Sequence, residues 1–236
     1  SVYLCTAHPS VGVPYLAAKV YRPRQFRNLR KDHIYREGRD VLDGDGQTIH
    51  KDREIRAILH KTGYGKQLMH TSWIDYEVQA MKTLYEAGAD VPRLYESGNM
   101  ALIMDYIGDA AMAAPTLQEV NLDGTEARYL FERTVHNIEL MLVNGIVHGD
   151  LSAYNILYWA GEITLIDFPQ MVLPESNRNA FRIFRRDVQR ICEYFARQGV
   201  KTDIDQLVER IWNAHAYPKV HELPTDMLQD KDEVED

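Results

Sequence analysis

A chain of 236 residues, 45% of them hydrophobic, can bury a substantial core, which excludes a peptide or a fibre and fits one domain or two small lobes sharing a cleft. Two cysteines, Cys5 and Cys192, exclude a disulfide framework and a Cys-rich zinc site. No apolar run approaches the roughly 18 to 20 residues of a membrane helix and no charged-then-apolar leader opens the sequence, so the expectation is a soluble, cytoplasmic protein with no membrane partner. The net charge of −8 is uneven: between Lys19 and Lys66 thirteen Lys/Arg stand against seven Asp/Glu, and six acids crowd residues 226–236. The acidic end, 218–236, reads as a solvated, disordered tail. For the basic run two readings stay open, a solvated face, which is the commoner case, or an electrostatic footprint for RNA or an acidic partner.

In chain order, Val2-Tyr3-Leu4-Cys5 and the run from Tyr15 to Tyr21 are β-rich and flank a turn holding Pro9, Gly12 and Pro14, which predicts a hairpin. Residues 22–71 are basic, carry five glycines and sustain no period; they are expected to form largely a flexible insert. Ser72 is the predicted N-cap of a helix running to about residue 87, with Ile74, Val78, Met81 and Tyr85 on one stripe and Gly88 as its stop. Strands are expected at 92–96 and 101–106, then an alanine-rich connector at 108–115 that crosses between lobes. An amphipathic helix over 125–144 precedes Gly145. Two β-rich runs, 156–159 and 163–166, are joined by Ala160-Gly161-Glu162, and helices near 185–197 and 203–215 complete the core.

The chemistry concentrates in His148-Gly149-Asp150-Leu151-Ser152-Ala153-Tyr154-Asn155, an H-x-D-x-x-x-x-N pattern, with Asp167 twelve residues beyond Asn155 at the end of an apolar strand. Phosphoryl transfer needs a group that orients or deprotonates the nucleophile and oxygen ligands for magnesium, fixed in one cleft. Asp150 fits the first role, acting on the acceptor hydroxyl or on water; Asn155 and Asp167 fit the second as Mg2+ or Mn2+ ligands, Asp167 bridging metal to phosphates. Leu16-Ala17-Ala18-Lys19 resembles the V-A-I-K strand of protein kinases, whose lysine holds the ATP α- and β-phosphates and pairs with a helix glutamate. Glu77 sits where that partner belongs, with Asp75 as a competing candidate. Met104 falls at the gatekeeper position before the connector, Asp105 and Ile107 would offer the adenine a backbone carbonyl and amide, and Val2 and Ala17 are either apolar covers for the base or plain core. Gly63-Tyr64-Gly65-Lys66 lacks the spacer of a Walker loop and is set aside.

Together with Ile166-Asp167-Phe168-Pro169-Gln170, Trp73 with Glu77, and Arg186-Asp187, these motifs resemble the RIO family of atypical serine/threonine protein kinases over nearly everything from residue 1 to 199. The resemblance implies an α+β, two-lobed protein-kinase-like fold: a small β-rich N-lobe at 1–107 interrupted by the basic insert, and a short, mainly helical C-lobe at 108–217 without a conventional activation segment. It further implies ATP as cofactor with Mg2+ or Mn2+, autophosphorylation and ATPase activity, a protein acceptor including the chain itself, and a role in small ribosomal subunit maturation. The sequence departs from the family at Ala153, a position usually acidic, and no glycine-rich phosphate loop is visible before Val2-Tyr3. Two alternatives share the motif: a small-molecule phosphotransferase of the aminoglycoside or choline type, which generally needs a longer C-lobe than follows Asp167, and an ATP-switched RNA or ribosome assembly factor.

Overall fold

The computed structural model describes residues 1–21, 37–43, 47–60, 62–98, 100–215 and 217. In these residues β1 (Val2–Thr6), β2 (Tyr15–Val20), β3 (Leu94–Gly98) and β4 (Ala101–Asp105) form an antiparallel sheet in the order β1-β2-β4-β3. The predicted hairpin of β1 and β2 is present, with Gly12 taking the left-handed conformation (φ 81°) that turns the chain back. Its register places Val2 opposite Lys19, and Ala17 opposite both Leu4 and Met104. Because strand side chains alternate, Val2, Ala17, Lys19 and Met104 therefore share one face of the sheet.

Two helices, α1 (Asp52–Leu59) and α2 (Gly63–Glu86), precede β3. The helix expected to be capped by Ser72 begins ten residues earlier, capped by Thr62, whose hydroxyl accepts the Gly65 amide at 3.1 Å. Ser72 is mid-helix and its hydroxyl accepts the Leu42 amide instead, at 2.9 Å. The two glycines of the first turn read as breakers, yet Gly65 is required by packing: a Cβ there would lie 2.0 Å from the Ala57 carbonyl of α1. Residues 52–71 of the expected flexible insert are thus mostly helical, while 22–36, 44–46 and the acidic tail from 218 lie outside the described residues. Gly88 (φ 80°) ends α2 as anticipated.

The helical half is built on α3 (Gly124–Val143), α4 (Ala180–Arg197) and α5 (Ile204–Asn213) around a hairpin of β5 (Ile156–Trp159) and β6 (Glu162–Leu165). Asp123 caps α3 by accepting the Thr125 and Glu126 amides, and Asp203 caps α5 through Gln206. Helix α4 starts five residues before the expected 185, because Ala180, Phe181, Ile183 and Phe184 continue its buried stripe; Phe181 and Phe184 pack on fully buried Trp212 of α5 with ring centroids 5.2 Å apart. A continuous core runs from Leu102 and Ile74 through Leu142 and Ile156 to Phe195. No described helix is long and apolar enough to cross a membrane.

The two halves meet at a polar clasp as well as through the connector. Asp90, just before β3, accepts Arg133 Nε and Nη2 of α3, each at 2.6 Å, and Asn137 Nδ2 at 2.7 Å, and it donates its own amide to Asn137 Oδ1. Its carbonyl accepts the Leu165 amide at 2.7 Å, tying the same loop to β6. A fork of two parallel charge-assisted bonds fixes orientation as well as distance.

Candidate active site

Lys19 reaches from β2 between two carboxylates: Nζ donates to Glu77 Oε1 at 2.5 Å and to Asp167 Oδ1 at 2.6 Å. Glu77, on the inward face of α2, is fully buried, and Asp75 is not the partner. The second Glu77 oxygen accepts the Tyr21 hydroxyl, and the Tyr21 ring packs edge-on against Trp73 at 5.6 Å. Burial works to lower the Lys19 pKa, but the charges and hydrogen bonds of Glu77 and Asp167 outweigh it and hold the ammonium above its ordinary 10.5. Tyr21 escaped sequence reasoning, since its role depends on a contact 56 residues away in the chain.

The loop before β5 carries Asp150 and Asn155. Gly149 is left-handed (φ 84°), and a Cβ there would lie 1.9 Å from the Gln170 carbonyl, so the chain can pass only as glycine. The Asn155 amide nitrogen donates to the Asp150 carbonyl at 2.8 Å, which turns its Oδ1 outward as an uncommitted acceptor among the described residues. Asp187 of α4, 3% exposed, accepts the Gly149 amide at 2.8 Å, and Arg186 grips both the Gly149 carbonyl and Asp187. Burial pushes the Asp187 carboxyl up, while His148, Arg186 and the Leu151 amide pull it back. Asp150 itself is paired with Arg190 one turn further along α4, Oδ1 to Nη1 at 2.8 Å. Arg190 carried no motif and was not anticipated.

Asp167 follows β6 with φ 71°, a left-handed conformation unusual for a residue with a side chain. The residue before it is fixed at both of its backbone polar groups: the Ile166 amide donates to the Asn155 carbonyl at 3.0 Å, and His148 Nε2 meets the Ile166 carbonyl at 3.1 Å. Phe168 is fully buried beneath His148, with ring centroids 4.7 Å apart. Lys19, Glu77 and Asp167 are thus brought into direct contact, and Asn155 is joined to Asp150 and, through its carbonyl, to the strand that presents Asp167. Ala17 and Met104 are buried on the Lys19 face, while Val2 is 60% exposed. The Asp105 side chain is committed to β3, accepting the Arg93 amide and the Tyr95 hydroxyl at 2.9 Å each, and the Ile107 carbonyl accepts Ala114 within the folded connector. The outward donor set, one carboxylate and one amide oxygen, suits a hard cation that keeps waters and phosphate oxygens as its other ligands.

The sheet, helix and hairpin arranged around a Lys-Glu-Asp contact form the two-part architecture of protein kinases. The Cydia pomonella granulovirus kinase PK-1 has this fold, with a TM-score of 0.50 and 14% identity over 96% of this chain and 73% of that one. A family model described as the RIO domain matches residues 15–207, and the chain belongs to the RIO family. Among its relatives are the RIO-type serine/threonine-protein kinase Rio1 of Haloferax volcanii, 29% identical over 82% of this chain and 60% of that protein, and the serine/threonine-protein kinase RIO1 of Chaetomium thermophilum, 32% identical over 66% and 32%. The human serine/threonine-protein kinase RIO3 is 30% identical over 57% of this chain and 26% of its own length. The chain therefore spans 60% or less of each of these three relatives.

Proposed function

We propose that this chain is an ATP-dependent serine/threonine protein kinase of the RIO type that uses Mg2+ or Mn2+ and phosphorylates protein acceptors, itself included. The observation that carries the reading is Lys19 bridging Glu77 and Asp167 at 2.5 and 2.6 Å, with Asp150 and Asn155 on a loop bonded to the same hairpin. Residues 1–107 act as the nucleotide lobe, with Ala17, Met104 and Val2 beside the base and the Asp105 and Ile107 backbone at its edge; residues 108–217 supply the acceptor side. Lys19 neutralises phosphate charge, and Asn155 and Asp167 are the metal ligands. The metal, when bound, offsets the charge developing on the transferring phosphoryl group. Asp150 orients the acceptor hydroxyl and takes its proton as the oxygen attacks the γ-phosphorus and the bond to the β-γ bridging oxygen breaks, releasing ADP.

The test is ATP turnover and self-labelling in Asp167→Asn. Asparagine tolerates the left-handed conformation, so the fold is retained, and loss of the carboxylate lowers turnover by on the order of 100-fold or more. Near-normal hydrolysis by the folded variant sinks the assignment. For the cellular role we infer contact with RNA of the small ribosomal subunit through the basic run, supported by its thirteen Lys/Arg against seven acids and by the family resemblance. Neutralising several of those residues then flattens the salt dependence of RNA binding; an unchanged slope returns the run to ordinary solvated surface.

A further inference from the structure

Beside Asp150, on the side of α4, lies a recess of roughly 400 Å3 walled by Asp150, Tyr154, Asn155, Arg190, Glu193 and Arg197. Its α4 wall follows from helical spacing, since positions 190, 193, 194 and 197 fall on one face. Tyr194 anchors that face, buried and donating its hydroxyl to the Leu117 carbonyl at 2.7 Å. The two arginines stand differently. Arg190 is already neutralised by Asp150 at 2.8 Å. Arg197 is exposed, lies over the Tyr194 ring at 5.8 Å, and has no ion-pair partner among the described residues. The helix as a whole is basic, with five arginines against two acids.

We propose that this recess seats the acceptor segment, and that Arg197 selects an acidic side chain about three residues from the serine or threonine that Asp150 addresses. The inference rests on the kinase reading and specifies its acceptor. Seven residues of α-helix rise by roughly 10 Å, which sets the offset between Arg190 at the chemistry and Arg197 beyond it. An extended chain advances about 3.4 Å per residue, so it spans that offset in about three. The ring beneath Arg197 fills one side of the guanidinium and leaves its donor edge for a carboxylate. Glu193 lies between the arginines, holds a hydrogen bond from Gln189 at 2.7 Å, and opposes an incoming anion, so it sets the sign of a second prediction: Glu193→Gln tightens the same acceptor.

The experiment uses eleven-residue peptides with one serine on a neutral polar background, carrying glutamate three residues to either side or glutamine at both places. Binding is read by fluorescence anisotropy with the full chain, and phosphorylation as kcat/KM. One of the glutamate peptides is expected to bind and react roughly two- to fivefold better than the glutamine peptide, the range of one partly exposed ion pair. Arg197→Gln removes the difference, and Arg197→Glu transfers the preference to a further peptide with lysine in place of that glutamate. Equal values for glutamate and glutamine, no binding of any peptide, or a preference that survives Arg197→Gln overturns the proposal. Anisotropy requires no phosphoryl transfer, so a chain that binds the glutamate peptide through Arg197 but never hydrolyses ATP loses the kinase reading and keeps the site.

Discussion

At the scale of single residues, the site depends on charges that are stable only in company. Lys19 is 15% exposed and would not remain an ammonium in an apolar site alone; Glu77 and Asp167 keep it charged. The sign of its pH effect follows. Its folded pKa lies above the unfolded value of 10.5, so its contribution to stability is complete below pH 10.5 and is lost as pH rises through the folded value. Lys19→Met should therefore lower stability at neutral pH, by leaving Glu77 buried and unpaired with a cation, and should remove part of the alkaline decline above pH 10.5. Urea melts from pH 7 to 11 on both proteins check this, and an identical alkaline slope would exclude Lys19 as its source.

At the scale of elements, what could be read from sequence was whatever a motif fixes locally. Asp150, Asn155 and Asp167 were legible because their spacing matches a loop, a hairpin and a strand end, and β5 and β6 fall where the apolar runs place them. The start of α2 was not legible, since Gly63 and Gly65 have poor helix propensity and Gly65 is there for its contact with Ala57. Arg190 and Tyr21 were invisible for another reason: each matters through a partner distant in the chain, and arginine or tyrosine at such a position is ordinary surface or core until the fold is known. The cap itself gives a measurable expectation. Thr62→Ala should destabilise the protein by about 1 kcal/mol through the orphaned Gly65 amide, while Thr62→Ser should be nearly silent. Equal stability of the alanine variant by denaturant unfolding would mean that Thr62 does not fix the helix start.

At the scale of the molecule, the sheet-bearing and helical halves are joined by the Asp90 clasp. Both partners are partly accessible, 34% for the Arg133 side chain and 19% for Asp90, so solvent screening reduces the value of the pair. A double-mutant cycle of Asp90→Ala and Arg133→Ala is expected to give a coupling energy of about 1 to 2 kcal/mol, more than an exposed pair because two parallel bonds form together. Additive effects in that cycle would reduce the clasp to a surface decoration. The fold class was legible at this scale because the family signature spans most of the chain; the clasp was not, because Asp90, Arg133 and Asn137 follow no motif.

That clasp also constrains how the molecule can move. The connector between the halves is folded back on itself by Ala114 donating to Ile107 at 2.9 Å and by the left-handed Gly108 (φ 136°). A further tie lies apart from both: Glu37, in a segment that Ser72 and Tyr76 of α2 hold, accepts Asn179 Nδ2 at 2.9 Å and lies 3.6 Å from Arg178 Nε. Two rigid parts tied at separate points that do not share a line have no free hinge axis, so parting Lys19 from Asp167 requires one of these ties to yield. Loss of Arg133 alone leaves Asn137 and the Leu165 amide on Asp90. Distances between spin labels on β1 and α5 should accordingly be narrowly distributed in the native chain, little changed in Arg133→Ala, and broader when Glu37→Ala is added.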